Sequence, residues 1–224
     1  MSYKIYYHIG GSLLLNKEII CIYPLAPKDV LKDFTDDKIV VCVSNNPKYS
    51  VEYYNLPKNS IIYCSFYLHQ NLTKDIFDFL KEREIKVICA CGRINNVNLI
   101  GNFHNVNKFI NLSNYDISII NDDAINLIDS ELKSVNYMYQ PTTGFIMMMD
   151  VISQNPKKIY IFGYSFFIEK FAPKNTYKSI TDVITHSYKK EFKILKKYFE
   201  KDNVVKDDIL KYVMDHENEI PGRD

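Results

Sequence analysis

The chain reads PTTGFIMMMDVISQNPKKIYIFGYSFF over residues 141–167, and this stretch decides the fold. A Pro-Thr-Thr-Gly turn precedes a run of apolar residues, and after a lysine pair a strand-like Ile-Tyr-Ile-Phe segment stops at Gly163. Pro141 biases the residue before it toward extended backbone, and Thr142 or Thr143 can cap a helix that follows. Turn, helix and strand in this order are typical of an α/β protein.

The start of this helix is a candidate anion site. Free amides and the helix dipole at an N-terminus favour a bound negative group such as a phosphate. Gly144, which has no side chain, lets a ligand approach the backbone closely. An ordinary capped core helix is the alternative interpretation, and the Thr-Thr-Gly motif alone does not decide between the two.

Strand-like and helix-like segments alternate on both sides of this stretch. Apolar runs predict strands at residues 4–9, 19–23, 38–44, 61–68, 85–91 and 159–162. Amphipathic or capped patterns predict further helices at residues 27–34, 73–84, 122–132, 187–201 and 204–216. We therefore predict one Rossmann-like α/β domain over residues 1–224, with a mostly parallel sheet flanked by helices and a C-terminal helical segment at residues 186–216.

The charge balance argues against nucleic acid as a partner. The chain has 28 Lys and Arg residues and 27 Asp and Glu residues, so its net charge is close to zero. Binding to a phosphate backbone needs a basic surface. One predicted helix does collect lysines, which form either a solvated helix face or a weak contact with an anionic membrane surface. They are Lys189, Lys190, Lys193, Lys196 and Lys197.

The five cysteines predict a reducing compartment. Their number is odd and most lie in apolar, strand-like runs, so we interpret them as reduced core residues of a cytoplasmic protein. Cys89 and Cys91 do not have the spacing of a zinc site, and we expect no metal. No signal peptide and no apolar run as long as a membrane span is visible in the sequence.

Two further turns are candidate ligand sites because each directly follows a predicted strand. Gly10, Gly11 and Ser12 follow the first strand, where doubly wound folds often hold a nucleotide. Asn45 and Asn46 follow the strand at residues 38–44, and an Asn amide can both donate and accept hydrogen bonds with a base or sugar. Ordinary turn chemistry is the alternative for both turns.

His186 is the candidate general base. A helix is predicted to begin directly after it, and Glu191 falls in the first turns of that helix. A neutral imidazole at a helix start suits proton abstraction, and Glu191 would either accept from backbone N–H groups or fix the segment that carries His186. A purely structural histidine is the alternative.

Together these residues resemble the sialyltransferase family in its eukaryotic, sialylmotif-containing form, and more loosely the bacterial CMP-sialic-acid-dependent sialyltransferases. The family's small motif is Pro-Ser/Thr-Thr-Gly, an apolar helix and a strand ending in glycine and an aromatic residue, here Gly163 and Tyr164. Its very small motif, His-x-x-x-x-Glu, is matched by His186 and Glu191. Its long motif, Gly-Asn-x-Gly followed later by an Asn, is matched loosely by residues 10–12 and by Asn45 or Asn46.

The chain departs from the family's vertebrate members at two points. It has no cysteine in residues 140–167, where those members join two motifs by a disulfide. It also has no histidine between Gly163 and His186, where their third motif supplies one. Tyr177, in a long loop at residues 169–185, is the nearest replacement, since the bacterial relatives direct tyrosine hydroxyls to the leaving phosphate.

The resemblance implies a GT-A-like variant of the fold and inverting transfer of a sugar, expected to be sialic acid, from a CMP-sugar donor to a glycan or glycolipid hydroxyl without a cofactor. His186 would be the base and Tyr177 a donor to the departing phosphate. The nucleotide site would comprise Gly10, Gly11, Ser12, Asn45, Asn46, Thr142, Thr143, Gly144, Gly163 and Tyr164. The alternative is a non-catalytic α/β domain that binds a nucleotide or phosphate.

Overall fold

A computed structural model of the chain describes residues 13–35, 37–65, 73–90, 117–119, 122–135, 141–171 and 186–222. The predicted strand at residues 4–9 lies outside this part of the chain, as do Gly10, Gly11, Ser12 and Tyr177. Predictions that concern those residues therefore stay predictions.

The described strands form one parallel sheet of seven, as expected from the alternating pattern. The strands are β1 (Glu18–Ile22), β2 (Ile39–Val43), β3 (Ile61–Ser65), β4 (Lys86–Ala90), β5 (Ile117–Ile119), β6 (Lys158–Phe162) and β7 (Val204–Lys206). Their order across the sheet is β5-β4-β3-β2-β1-β6-β7, and every neighbouring pair runs parallel. The prediction of an α/β fold with a parallel sheet flanked by helices is confirmed.

Six α-helices are described around the sheet. They are α1 (Pro47–Tyr54), α2 (Lys74–Glu82), α3 (Asp122–Ser134), α4 (Thr143–Ser153), α5 (Tyr188–Phe199) and α6 (Asp208–Asp215), followed by a short 3-10 turn (Glu217–Glu219). Helix α1 packs against α2, and α3 packs against α4. Because crossovers between parallel strands are right-handed, α1 and α2 cover one face of the sheet and α4 the other.

Helix α4 is buried almost all round, which explains its uninterrupted apolar sequence. Its residues from Gly144 to Val151 are all buried, including Asp150, whose carboxylate is 0% exposed. The Tyr63 hydroxyl of β3 donates to Asp150 Oδ2 at 2.5 Å, and Gln154 Nε2 donates to Oδ1 at 3.2 Å. These bonds satisfy a charge inside the core and fix α4 across the centre of the sheet.

One local prediction, the helix at residues 27–34, is wrong. Residues 27–34 form successive turns rather than a helix, since Val30 donates to Pro27, and Phe34 to Leu31, with i to i−3 spacing. Helix α1 was not predicted, and it begins at Pro47 directly after the turn that ends β2. Proline is well suited to the first position of a helix, where its missing N–H would have no partner.

Two strands were not predicted. The predicted last helix at residues 204–216 contains β7 at Val204–Lys206, and only the part from Asp208 is helical. Strand β5 has only three residues, too few for a periodic pattern to show in the sequence. Short edge strands carry little signal of their own and form by pairing with a neighbour.

The sheet changes direction between β1 and β6. The chain builds outward from β1 to β5 and then returns to place β6 on the other side of β1. The carboxyl ends of these two strands therefore form the switch point, where open α/β sheets bind ligands. Helices α4 and α5 each lead into a parallel strand, so both begin at this same edge. No helix among the described residues is long and apolar enough to span a membrane.

Candidate functional site

Of the two threonines proposed as helix caps, Thr142 is the one that caps the start of α4. Its Oγ1 accepts from the Phe145 amide at 3.1 Å, and its carbonyl accepts from the Ile146 amide at 3.0 Å. Thr143 is the first helical residue. Within the described part of the chain, the amides of Thr143 and Gly144 have no protein acceptor, which leaves two donors for an incoming anion.

Glu191 joins this helix start to that of α5. Its carboxylate is fully buried, with 0% exposure. The Thr142 amide donates to Oε1 at 2.8 Å, and the Thr142 hydroxyl donates to Oε2 at 2.7 Å. The Glu191 amide in turn donates to the Ser187 carbonyl at 3.1 Å, so the residue sits in the first turn of α5. The N-termini of α4 and α5 are therefore adjacent, and we call the place where they meet the α4–α5 junction.

His186 lies just ahead of α5, where Ser187 occupies the N-cap position. The side chain of His186 is partly exposed, and its ring centroid is 6.0 Å from that of Tyr188. Burial raises the pKa of the Tyr188 hydroxyl, and the negative charge of Glu191 raises it further. The structure thus brings His186 to the same edge of the sheet as Thr142, although they are 44 positions apart in the sequence.

Gly144 is closely packed against an aromatic ring. A Cβ atom at this position would lie 2.9 Å from Tyr23 Cε1. The Tyr23 hydroxyl donates to the Gly144 carbonyl at 3.1 Å, and the Tyr23 side chain is only 2% exposed. The missing side chain at Gly144 therefore makes room for Tyr23, where the sequence suggested a ligand.

Gly163 and Tyr164 lie at the switch point, but protein groups surround them. Gly163 has a φ of +76°, and a Cβ there would be 2.2 Å from the Ala26 amide nitrogen. The Gly163 amide donates to Asp207 Oδ2 at 2.6 Å. The Tyr164 ring stacks on Tyr23 with a centroid separation of 3.8 Å and an interplanar angle of 9°. The loop after β1 therefore closes the crevice between β1 and β6.

The asparagine pair forms a turn, as the alternative interpretation had it. Asn46 is the N-cap of α1, and its Oδ1 accepts from the Tyr49 amide at 3.2 Å. The Asn46 amide donates to Ser44 Oγ at 3.0 Å. Asn45 is exposed at the carboxyl end of β2, next to the switch point but outside the α4–α5 junction. Its assignment to a nucleotide site stays a prediction.

Sequence reasoning missed Tyr23 and Asp207. Tyr23 follows the apolar run of β1, but nothing in the sequence identifies that strand as the neighbour of β6. Asp207 bonds both Gly163 and the Leu210 amide, the latter at 2.8 Å as the cap of α6. Burial raises the pKa of its carboxyl above the usual value, against the effect of these bonds. An Asp before a helix is a cap signal, and it would have located the start of α6.

Two of the lysines predicted to contact a membrane surface form ion pairs. Lys196 pairs with Glu217 at 2.9 Å and Lys197 with Glu131 at 2.6 Å, so the helix offers the proposed membrane contact no support.

Cys21, Cys42 and Cys64 are reduced and buried, and burial raises the pKa of the Cys42 thiol to about 12. The described residues contain no cluster of three or more metal-ligating side chains.

A small cavity lies far from this junction. Its volume is about 40 Å³, and its walls include Met148, Ile152, Ile159, Tyr198 and Asn203. These residues belong to α4, the beginning of β6, the end of α5 and the turn between α5 and β7, at the amino edge of the sheet. The space suits one or two water molecules and is too small for a nucleotide.

Several solved structures share this fold, although no protein-family model and no curated protein matches the chain. The α-2,3-sialyltransferase from Campylobacter jejuni in apo form is 20% identical with a TM-score of 0.59, over 96% of this chain and 86% of that one. The C. jejuni sialyltransferase CstII in complex with CMP-3FNeuAc is 20% identical with a TM-score of 0.51, over 85% and 79%. The sialyltransferase CST-II in complex with trisaccharide acceptor and CMP is 18% identical with a TM-score of 0.51, over 85% and 80%.

At this level of identity the similarity shows the fold. All three structures are described as sialyltransferases, and two of them are from Campylobacter jejuni. The likeness is therefore to bacterial sialyltransferases and not to the eukaryotic sialylmotif family first suggested by the short motifs. The chain spans most of the length of each.

Proposed function

We propose that this chain is a glycosyltransferase, one domain over residues 1–224, that moves sialic acid from a CMP-linked donor to a hydroxyl of a glycan. The observation that supports it most is the pair of hydrogen bonds from Thr142 to Glu191. They join a helix start with two unused amides to the segment that carries His186. In this proposal the two helix starts supply an anion site and a base side by side, on a fold shared with the Campylobacter enzyme.

In this proposal the CMP phosphate accepts hydrogen bonds from the amides of Thr143 and Gly144. His186 takes the proton of the acceptor hydroxyl while that oxygen attacks the anomeric carbon. The bond between that carbon and the phosphate oxygen breaks on the opposite face, so the configuration inverts and CMP leaves with the electron pair. Base catalysis of this kind contributes about 10²- to 10⁴-fold to the rate, and the phosphate donors stabilise the leaving group. The chemistry uses no cofactor.

The filled switch point limits where the donor lies. Because Tyr23 and the Leu25–Ala26 backbone occupy the space at Gly144 and Gly163, the nucleotide would sit outside them, over Thr143 and toward His186. Gly163 and Tyr164 then support the site through packing. Tyr177, which lies outside the described residues, keeps its proposed role as a donor to the phosphate.

A non-catalytic domain that binds a nucleotide or phosphate is the second candidate, and the similarity to sialyltransferases does not favour it. The two candidates differ in a simple measurement, since only a transferase releases CMP from the donor.

The test is a donor-hydrolysis assay with CMP-sialic acid, followed by titration calorimetry with CMP, UMP and AMP. The transferase proposal expects release of CMP that increases when glycan acceptors are added, and tighter binding of CMP than of the other two nucleotides. Binding of all three nucleotides with similar affinity, and no CMP release with any acceptor in a glycan screen, would support the second candidate instead.

A further inference from the structure

Glu191 is an unusual residue for its place in the fold. Acidic side chains are almost never fully buried unless they are paired, yet this carboxylate is 0% exposed. Thr142 supplies a hydrogen-bond donor to each of its oxygens, at 2.8 Å and 2.7 Å. Both bonds are to a charged acceptor and are of the stronger kind. A buried charge held in this way fixes the geometry of the two segments that it joins.

Thr142 has one arrangement that satisfies all its polar groups. Its hydroxyl proton points to Glu191, which leaves the Oγ1 lone pair for the Phe145 amide at 3.1 Å. Its own amide is also directed to Glu191. The cap of α4 and the anchor of α5 therefore share one side chain, and the amides of Thr143 and Gly144 stay available.

The start of α5 is held on its other side by aromatic packing. The Phe167 ring lies 4.7 Å from the Tyr188 ring. Phe167 has a φ of 59° and Phe166 a φ of 48°, which non-glycine residues adopt only when their surroundings hold them there. The segment that carries His186 is thus fixed between α4 and the turn that follows β6.

We infer that Glu191 is a positioning residue, which holds His186 against the anion-binding start of α4 through Thr142. The inference rests on the proposed function, because the distance between base and leaving phosphate has meaning only in a transfer reaction. A displacement of about 1 Å in such a site costs about 10²-fold in rate. Glu191 would act on the rate through His186, without touching the substrate.

Thr142→Val is the direct test, because it keeps the side-chain shape and removes the hydroxyl. Thr142→Ser is the conservative variant that restores the hydroxyl. Glu191→Gln, which keeps the size and one acceptor oxygen, gives the same comparison if Thr142→Val does not fold. Tyr63→Phe is the matched control, since it also removes a hydroxyl that donates to a buried carboxylate, at 2.5 Å from Asp150, but at a distance from the α4–α5 junction.

Two measurements are needed, and the first does not depend on activity. Hydrogen exchange followed by mass spectrometry should show the segment at residues 186–192 exchanging about tenfold faster in Thr142→Val, and near the wild-type rate in Thr142→Ser and Tyr63→Phe. The second is steady-state transfer from CMP-sialic acid. There kcat should fall about 10²-fold in Thr142→Val with little change in the KM of the acceptor, recover most of its value in Thr142→Ser and stay unchanged in Tyr63→Phe.

The outcomes separate this inference from the proposed function. If the wild type neither hydrolyses the donor nor transfers from it, the proposed function fails, and the exchange rates alone decide whether Glu191 fixes residues 186–192. If the wild type is active and Thr142→Val keeps its kcat and its exchange pattern, Glu191 does not position His186 and the inference is overturned. An equal loss of kcat in Tyr63→Phe would also overturn it, because the effect would then be one of general stability.

Discussion

Replacing Thr143 by proline should weaken CMP binding without breaking the helix. Thr143 is the first residue of α4, and its amide has no protein acceptor in the described part of the chain. Proline is favoured at this position of a helix. Thr142 has a φ of −69° and a ψ of 154°, which is the extended backbone that a residue before proline adopts. The substitution therefore removes one N–H and leaves the fold in place.

The size of the effect follows from that single donor. A hydrogen bond to a charged group contributes about 1.5–3 kcal/mol, which corresponds to a loss of about 10- to 100-fold in affinity. Titration calorimetry with CMP measures it directly, with thermal unfolding as the check on stability. Thr143→Ala is the matched control, because it removes the side chain and keeps the amide, so its affinity for CMP should be near that of the wild type.

The opposite result is equally clear. A Thr143→Pro variant with the stability and the CMP affinity of the wild type would show that this amide does not contact the phosphate. The anion site would then have to be sought away from the start of α4.

Three further predictions concern stability. Gly163→Ala should cost about 4 kcal/mol by denaturant unfolding, because it combines a φ of +76° with a Cβ placed 2.2 Å from the Ala26 amide nitrogen. A cost below about 1 kcal/mol would contradict the packing at the switch point. Tyr63→Phe should lower stability by about 2 kcal/mol, and an unchanged value would contradict the bond to Asp150. Burial raises the pKa of Asp207 above its ordinary 3.8, so the folded protein binds this proton more tightly than the unfolded chain does. The contribution of Asp207 to the free energy of unfolding should therefore fall as the pH rises through the raised pKa. Thermal unfolding from pH 4 to 7 should show wild type losing stability relative to Asp207→Asn, and the reverse slope would contradict this sign.

The sequence predicts the interior of the sheet well because buried parallel strands are continuous apolar runs. The runs at residues 38–44 and 85–91 are rich in β-branched residues and became β2 and β4. The edges were harder to predict, since β5 and β7 have three residues each. Helix α1 was not predicted, because a proline can end one element and begin the next.

The candidate site was predicted as separate pieces. The cap at Thr142 and the helix after His186 are local signals, and both are present in the structure. That Glu191 would reach Thr142 depends on how two helices pack, which no local pattern shows. The filling of the switch point by Tyr23 depends in turn on which strand pairs with β6, and this is settled only when the whole sheet forms.

The measurement that tests the central claim most directly is CMP affinity and transfer rate determined side by side in His186→Ala. The control is His216→Ala, since His216 is exposed and stacks on Tyr212 at 3.9 Å, at the end of α6. The account predicts that His186→Ala binds CMP as the wild type does while its transfer rate falls by about 10²- to 10⁴-fold, and that His216→Ala keeps both. Full transfer activity in His186→Ala would contradict the claim that this histidine is the base beside the start of α4.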